Sequence, residues 1–267
     1  MKIIVSHDVD HLFATDHIND LIYPKLWVRE TLRFMKGRIS FKEWYLRMFS
    51  PFKRIRHCIN EVMSFDRAHG IPSTFFFGME KGLGMSYKRE KALPIIKRVY
   101  ENGFEAGVHG IAFDNLEKIK NEYNAFTELV QKEPKGIRMH YVRHTKGTFE
   151  FLAQSGYKYD TSEFDKEKGS CLKAPYKVGD MWEFPLCLMD TYLPYDLEKS
   201  KTLTLDLLEQ AEAVDMRFFT VLFHDSHYCD AYSVYRDWYR WLINYLKTGE
   251  YKFVSYQDAI GELKLKT

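Results

Sequence analysis

Short runs of β-branched and aromatic residues alternate with helical segments along most of this chain. This alternation is typical of βαβ units, whose strands pair in parallel within one sheet or barrel. No repeat, low-complexity stretch or linker interrupts it. We therefore predict one α/β domain spanning residues 1–267. Predicted strands cover residues 3–5, 73–77, 104–108, 136–139, 157–160, 181–188, 217–223 and 252–255.

Acidic or imidazole side chains follow the ends of six of these strands. In a (β/α) barrel the catalytic residues come from the carboxyl ends of different strands and meet on one rim. The pattern therefore predicts an enzyme whose active site lies on that rim. The residues concerned are His7, Asp8 and Asp10, then His109, His140, Asp160, Asp190 and the pair His224–Asp225.

The first of these strand ends carries two carboxylates one residue apart, Asp8 and Asp10. Such a pair can divide two tasks, because one carboxylate can hold a cation while the other takes a proton from water. An acidic turn with an aspartate that caps the next helix would give the same local pattern. Both interpretations remain open at this point.

Mixed Asp and His ligands suit zinc or a similar divalent ion with positions left open for water. Such an ion lowers the pKa of bound water to about 7 and polarises a carbonyl group. The chemistry predicted is hydrolysis of an amide or ester. The chain contains neither a GxSxG nucleophile elbow nor a P-loop.

A basic, aromatic-rich helical insertion is predicted over residues 13–50. Between Asp20 and Arg56 the chain has ten Lys or Arg and three Asp or Glu. The segment can be a solvated helical pair whose long side chains snorkel. It can also be a lid, or a surface that meets an anionic glycan or lipid head group. Ser50-Pro51 then predicts the start of a helix that ends at Gly70.

The bulk composition narrows the possible partners. A formal net charge of +2 indicates no general affinity for nucleic acid. No apolar run is long enough to span a bilayer. Because the first strand begins at Lys2, no room for a signal peptide precedes it, and we expect a cytoplasmic protein.

Six segments form a set whose order and spacing are specific: HDVDH (7–11), GIPSTFFF (70–77), NGFEAGVHG (102–110), IRMHY (137–141), SGYKYDTS (155–162) and VLFH (221–224). As a set they resemble the motifs of the polysaccharide deacetylase family, of the NodB-homology or carbohydrate esterase 4 type. The resemblance implies a distorted (β/α)7 TIM-like barrel. It also implies metal-dependent removal of N- or O-acetyl groups from sugars.

Residue roles follow from the same resemblance. Asp8 would be the catalytic base and Asp10 a metal ligand. His109 would be a second metal ligand, Arg138 would orient the base, and His224 would be the general acid.

Two departures from the family pattern affect the metal ligands. The family has a second histidine four residues after the first, where this chain has Phe113, which cannot bind a metal. We expect His140 to replace it, because it should reach the same rim. Val9 also separates two aspartates that are adjacent in the family, so the choice of metal ligand between Asp8 and Asp10 stays open.

Further residues near these motifs are candidates for contacts with the substrate or with the ligands. Arg143 can meet a substrate carboxylate or phosphate, or make a surface ion pair. The other candidates are His7, His11, Tyr141, His144, Asp190 and His227.

We thus expect a zinc-dependent deacetylase acting on a nucleotide- or lipid-linked sugar or a glycan, in surface glycan or lipopolysaccharide assembly. The basic insertion would allow a peripheral contact. Two alternatives remain: a small-molecule amidohydrolase on the same barrel, and a non-catalytic glycan-binding relative that has lost its metal, which Phe113 motivates.

Overall fold

A computed structural model describes residues 1–18, 21–53 and 55–265. Its strands are β1 Lys2–Val9, β2 Thr74–Gly78, β3 Glu105–Gly110, β4 Gly136–Met139, β5 Tyr159–Asp160, β6 Tyr176–Val178, β7 Met181–Glu183, β8 Leu188–Met189, β9 Phe218–Leu222 and β10 Lys252–Phe253. Its α-helices are α1 Ile22–Met35, α2 Phe41–Met48, α3 Ile59–His69, α4 Arg89–Glu101, α5 Leu116–Val130, α6 Thr148–Gln154, α7 Leu197–Ala213, α8 Ser233–Thr248 and α9 Tyr256–Lys264.

The strands lie in the order β6-β7-β5-β4-β3-β2-β1-β9-β8, with β10 beside β1. Every pairing is parallel except β6 with β7. The segment 181–189 joins the two ends of this path, because β7 pairs with β5 and β8 pairs with β9. The predicted distorted (β/α)7 barrel is therefore confirmed.

The single strand predicted over 181–188 is wrong in its middle. Pro185 lies between β7 and β8 and has no N–H to give to a sheet ladder. Around it the chain changes partner: Leu186 N–H donates to the carbonyl of Glu163, and Cys187 N–H donates to that of Thr220. The break lets one segment contact both neighbouring strands.

The alternation of side chains along β1 decides what faces the barrel interior. Ile3, Val5 and Val9 pack in the large core that includes the helices, whereas Ile4 packs in a second core with Phe76. Successive strand residues point to opposite faces. Asp8 therefore shares the inner face with Ile4, while His7 points outward.

The helix predicted to start at Ser50-Pro51 is also wrong in its first part. Only a 3-10 turn, Ser50–Phe52, forms there, and α3 begins at Ile59. Residues 55–58 lie outside any helix and contact the segment after β1, since Arg56 N–H donates to the carbonyl of Leu12 at 3.0 Å. These contacts use backbone groups that a helix would need.

The basic insertion folds as α1 and α2, which pack on each other between β1 and α3. Within the described ranges, no helix combines the length and apolarity needed to cross a bilayer.

Candidate metal centre and active site

A cavity of about 870 Å³ opens at the carboxyl ends of the barrel strands. Asp8 lies in β1, and Asp10 follows that strand directly. His109 lies in β3, His140 lies in the turn after β4, and His224 is the second residue after β9. Because the barrel strands are parallel, their carboxyl ends meet at one rim. Five of the predicted rim residues thus meet in one cavity. The prediction is wrong for the other four, which are fully buried and do not line it: His7, Asp160, Asp190 and Asp225.

Asp10, His109 and His140 form a compact cluster that we call the triad. Each offers one ligand atom, and these atoms all lie within 4.8 Å of one another. Asp10 Oδ1 lies 3.2 Å from His109 Nε2 and 3.2 Å from His140 Nδ1. His140 therefore lies beside Asp10 and His109, on the rim that we expected it to reach.

The hydrogen bonds of the two imidazoles fix which nitrogens face Asp10. His109 Nδ1 donates to the carbonyl of Arg138 at 2.9 Å, and His140 Nε2 donates to that of Leu83 at 3.2 Å. In the neutral rings the inward nitrogens then carry lone pairs. Metal-bound histidines are typically oriented by such a bond from the other ring nitrogen.

The donor set of the triad fits a divalent cation. Asp10 Oδ1 is buried and accepts no hydrogen bond from any described residue. The two inward nitrogens are only 3.0 Å apart. Three lone pairs that converge without a proton between them repel one another unless a cation lies at their centre. One carboxylate and two imidazoles are also ligands that zinc accepts.

The electrostatic environment of the triad favours positive charge. Burial opposes ionisation of Asp10, but its contacts with His109 and His140 hold the pKa of Asp10 well below its usual value. Burial also disfavours a charged His109, yet the carboxylates of Asp8 and Asp10 raise the pKa of His109. The site thus attracts a cation, whether a proton or a metal.

Asp8 lies beside the triad and is bound to Arg138. Its Oδ2 lies 3.7 Å from His109 Nε2, and its Oδ1 accepts a hydrogen bond from Arg138 Nη1 at 3.4 Å. Arg138 is fully buried and also donates to Ser6, to Tyr256 and to Thr161. These bonds fix the guanidinium, which in turn orients Asp8.

On another side of the triad, Asp190 accepts hydrogen bonds from both His224 and His227. His224 Nδ1 donates at 2.6 Å and His227 Nδ1 at 2.7 Å. Burial would lower the pKa of His224, but the charge and hydrogen bond of Asp190, with Asp10 and Asp8, raise it to about 10. His224 Nε2 lies 3.8 Å from Asp10 Oδ2 and points its proton towards the triad.

The structure revises several of the candidate contacts. His11 and Tyr141 line the cavity. Asp190, predicted to bind substrate, is fully buried behind His224, where four N–H groups occupy its oxygens. Arg143 stacks on the ring of Phe113 at 4.0 Å and is not among the described residues that line the cavity.

Two other histidines lie away from the cavity. His7 is buried on the outer face of β1, where its Nε2 meets Asp66 at 2.9 Å. His144 packs beside Phe149 at a separate, smaller cavity. His227 does line the main cavity.

Sequence reasoning missed two contributors to the site. The carbonyl of Leu83 accepts hydrogen bonds from His140 and Tyr141, a backbone role that no side-chain pattern reveals. The cavity wall also contains Lys25, Lys53 and Arg56. The excess of basic residues in the insertion is the signal that could have indicated them.

Comparison with solved structures shows which proteins share this fold. A crystal structure described as a polysaccharide deacetylase from Mycobacterium smegmatis is 15% identical, with a TM-score of 0.62, over 98% of this chain and 88% of that chain. A 4-α-glucanotransferase from Thermococcus litoralis is 13% identical, with a TM-score of 0.51, over 98% of this chain and 40% of that chain. A polysaccharide deacetylase from Bacillus cereus is 13% identical, with a TM-score of 0.48, over 96% and 91%.

No protein-family model and no curated protein sequence matches this chain. At 13–15% identity the likeness concerns the fold. The chain therefore has the polysaccharide deacetylase fold that its six sequence segments predict.

Proposed function

We propose that this protein is a metal-dependent hydrolase that removes an acetyl group from a sugar. One observation carries the proposal: Asp10, His109 and His140 converge in the cavity, and a carboxylate and an imidazole from other positions lie within 4 Å of them. The fold supports the reaction class.

Asp10, His109 and His140 would hold the metal, and zinc fits their donor set best. A divalent ion bound there supplies a Lewis acid for the acetyl carbonyl and lowers the pKa of water. The remaining tasks fall to side chains of the chain itself.

Asp8 is our candidate for the general base. Arg138 holds its Oδ1, which leaves Oδ2 directed towards the triad. A base must lie within hydrogen-bond reach of the proton that it removes, and a fixed carboxylate meets that requirement. Arg138 acts on the reaction only through Asp8, as a positioning residue.

His224 is our candidate for the general acid. At neutral pH it keeps its proton, because Asp190 raises its pKa to about 10 after the opposing effect of burial. Its Nδ1 is committed to Asp190, so only Nε2–H can be given to a leaving amine or alkoxide.

The substrate we propose is a sugar linked to phosphate, carried by a nucleotide or a lipid. Among the described residues that line the cavity, only Asp8 and Asp10 are acidic, whereas six are Lys or Arg. Lys25, Lys53 and Arg56 have no ion pair with any described residue, and Arg56 Nη1 is buried without an acceptor. Concave sites with unpaired cations concentrate anions, and guanidinium groups suit phosphate.

The cavity volume also suits such a substrate. About 870 Å³ lies in the upper part of the range of roughly 300–1,000 Å³ found for small-molecule pockets. It leaves room for a phosphate group beside one sugar ring. Sugars carried in this form are precursors, so we place the reaction in the cytoplasm, in surface glycan assembly.

The test separates the base from the metal ligand. Acetate release is measured from N-acetylglucosamine and from its 1-phosphate, with metal content determined on the same samples. D8N should lose at least about 100-fold in kcat while it keeps its metal, because general-base catalysis is worth about 10²–10⁴. D10N should lose both, and the phosphorylated sugar should react faster with the unmodified protein.

Unchanged turnover in D8N would remove Asp8 from the base role. If the metal-bound protein releases acetate from neither compound, this choice of substrate is refuted.

A further inference from the structure

We propose that the helical insertion is a docking surface for an anionic lipid bilayer. The insertion is taken here as residues 21–53, which contain α1 and α2. The docking does not depend on the proposed reaction and can be tested without it.

A row of exposed aromatic side chains runs along the insertion. Consecutive ring centroids lie 6.1 Å apart for Phe34–Phe41, 6.4 Å for Phe41–Tyr45, 4.5 Å for Tyr45–Phe49 and 6.0 Å for Phe49–Phe52. We call these five residues the aromatic row. Their exposed fractions run from 36% for Phe34 to 77% for Phe52. Residues 41, 45 and 49 follow a four-residue spacing, which places them on one helix face.

Further apolar side chains are exposed on α1. Val28, Leu32 and Met35 lie on one face at helical spacing, with exposed fractions of 63%, 50% and 76%. Contiguous exposed apolar surface of this kind marks a site of contact with a protein or a membrane.

The charge of the insertion is strongly one-sided. It contains eight Lys or Arg and two acidic residues, Glu30 and Glu43. Both glutamates are buried: Glu30 pairs with Arg29, Arg33 and Arg47, and Glu43 accepts from Tyr195 and Ser233. Lys36 and Arg38 are exposed and make no ion pair with a described residue, so the outward surface of the insertion is cationic and apolar, without exposed acid among its described residues.

Side-chain contacts attach the insertion to the barrel. The aromatic row is therefore not an apolar face that packs against the barrel after a movement of α2. Arg47 is fully buried and donates to the carbonyl of Ala231 at 2.7 Å and to Tyr195 at 2.6 Å. Lys42 pairs with Asp230 at 2.9 Å. These contacts fix α2 against the segment before α8 and leave the row facing outward.

The same charge argues for a bilayer rather than a second copy of the chain. A symmetric dimer through this face would bring two cationic surfaces together, and like charges across an interface are costly. Protein interfaces are also depleted in Lys. Aromatic and aliphatic side chains flanked by Lys and Arg are the pattern of segments that lie in the bilayer interface and bind anionic lipids.

The insertion also borders the catalytic cavity. Ile22, Lys25, Leu26 and Arg29 line the cavity from α1. A docked molecule would hold this wall close to the lipid surface. If the proposed function is right, that favours a lipid-linked sugar over a nucleotide-linked one.

The test is cosedimentation with vesicles of phosphatidylglycerol and phosphatidylcholine, and with vesicles of phosphatidylcholine alone. The protein should bind the first kind and bind the second at least 10-fold more weakly. The variant F41S/F49S/F52S should lose at least 10-fold in affinity for the anionic vesicles. The matched control L203S/L205S/V214S removes three other exposed apolar side chains and should bind like the unmodified protein.

Circular dichroism checks that both variants are folded. None of the substituted residues lines the cavity, so neither variant should alter it. Failure of the unmodified protein to bind anionic vesicles would overturn the proposal, as would equal binding by the aromatic-row variant. A dimer that the row variant dissociates, with vesicle binding unchanged, would assign the row to self-association instead.

Acetate release from a soluble sugar should be the same in the row variant and the unmodified protein. Vesicle binding without acetate release would contradict the proposed function alone, and acetate release without vesicle binding would contradict the docking alone.

Discussion

Two clusters beside the cavity contain the same residue types, one aspartate and two histidines, yet they have opposite chemistry. In the triad of Asp10, His109 and His140, both imidazoles donate outward to backbone carbonyls. Their other nitrogens face a carboxylate oxygen that accepts nothing from the described residues. The donor atoms of this cluster are therefore arranged to receive a cation at its centre.

The second cluster is complete without an ion. Asp190 accepts from His224 Nδ1, His224 N–H, His227 Nδ1 and Thr191 N–H, at 2.6–3.0 Å. Those four donors satisfy both oxygens, and the charge of Asp190 then keeps a proton on His224. The direction of the hydrogen bonds, rather than the residue types, separates a candidate metal site from a proton-holding pair.

Replacing one histidine in each cluster with glutamine gives the largest expected difference, which is a difference in metal affinity. In H140Q the triad loses a ligand, and we expect metal affinity to fall by more than about 100-fold, beyond the 10–100-fold typical of residues that only support ligands. H227Q should keep its metal, because His227 already donates to Asp190. Metal content after dialysis against a weak chelator measures both. If H227Q loses the metal and H140Q keeps it, the roles of the two clusters are reversed.

Removing the charge of Asp190 should reduce turnover without removing the metal. In D190N, His224 loses the carboxylate that raises its pKa, so the alkaline limb of the kcat profile should move to lower pH. We expect kcat at pH 8 to fall about 100-fold, within the range for general acids. A loss of kcat without any shift of the limb would show a merely structural role.

The two clusters also show what the sequence can predict. Period-two alternation along β1 and into Asp10 places Asp8 and Asp10 together and turns His7 away, although the three residues are close together in the sequence. His140 could be predicted as a metal ligand because it follows β4, the strand beside β3 on the rim. The barrel and the convergence of these residues are therefore predictable from local patterns.

Other features depend on contacts between distant segments. The non-helical residues 55–58 are held by two such bonds, from Arg56 N–H to the carbonyl of Leu12 and from Cys58 N–H to Asp225, 167 residues away. The role of Asp190 follows from a turn after β8 that puts it behind His224, and no local pattern fixes that direction. The carbonyl of Leu83 has no side-chain signature at all.

The smallest expected effect is a change in stability, at a buried carboxyl group that holds the segment after His109. Glu122 of α5 accepts from the N–H groups of Ile111 and Ala112, just after His109. Burial raises the pKa of Glu122 to about 7, against the effect of those N–H groups. A carboxyl whose folded pKa is raised contributes stability below its unfolded pKa and loses it as the pH rises through the folded pKa.

The free energy of unfolding of the unmodified protein, relative to E122Q, should therefore fall between pH 5 and pH 8. One pKa unit corresponds to about 1.4 kcal/mol, so a fall of about 2 kcal/mol is expected. Urea unfolding at the two pH values measures it, with E128Q, an exposed position on the same helix, as the control that should show no such trend. A difference that stays constant would mean that Glu122 is ionised throughout. The segment after His109 would then be held by a permanently ionised carboxylate, as His224 is held by Asp190. The contact between Glu122 and this segment would not depend on pH.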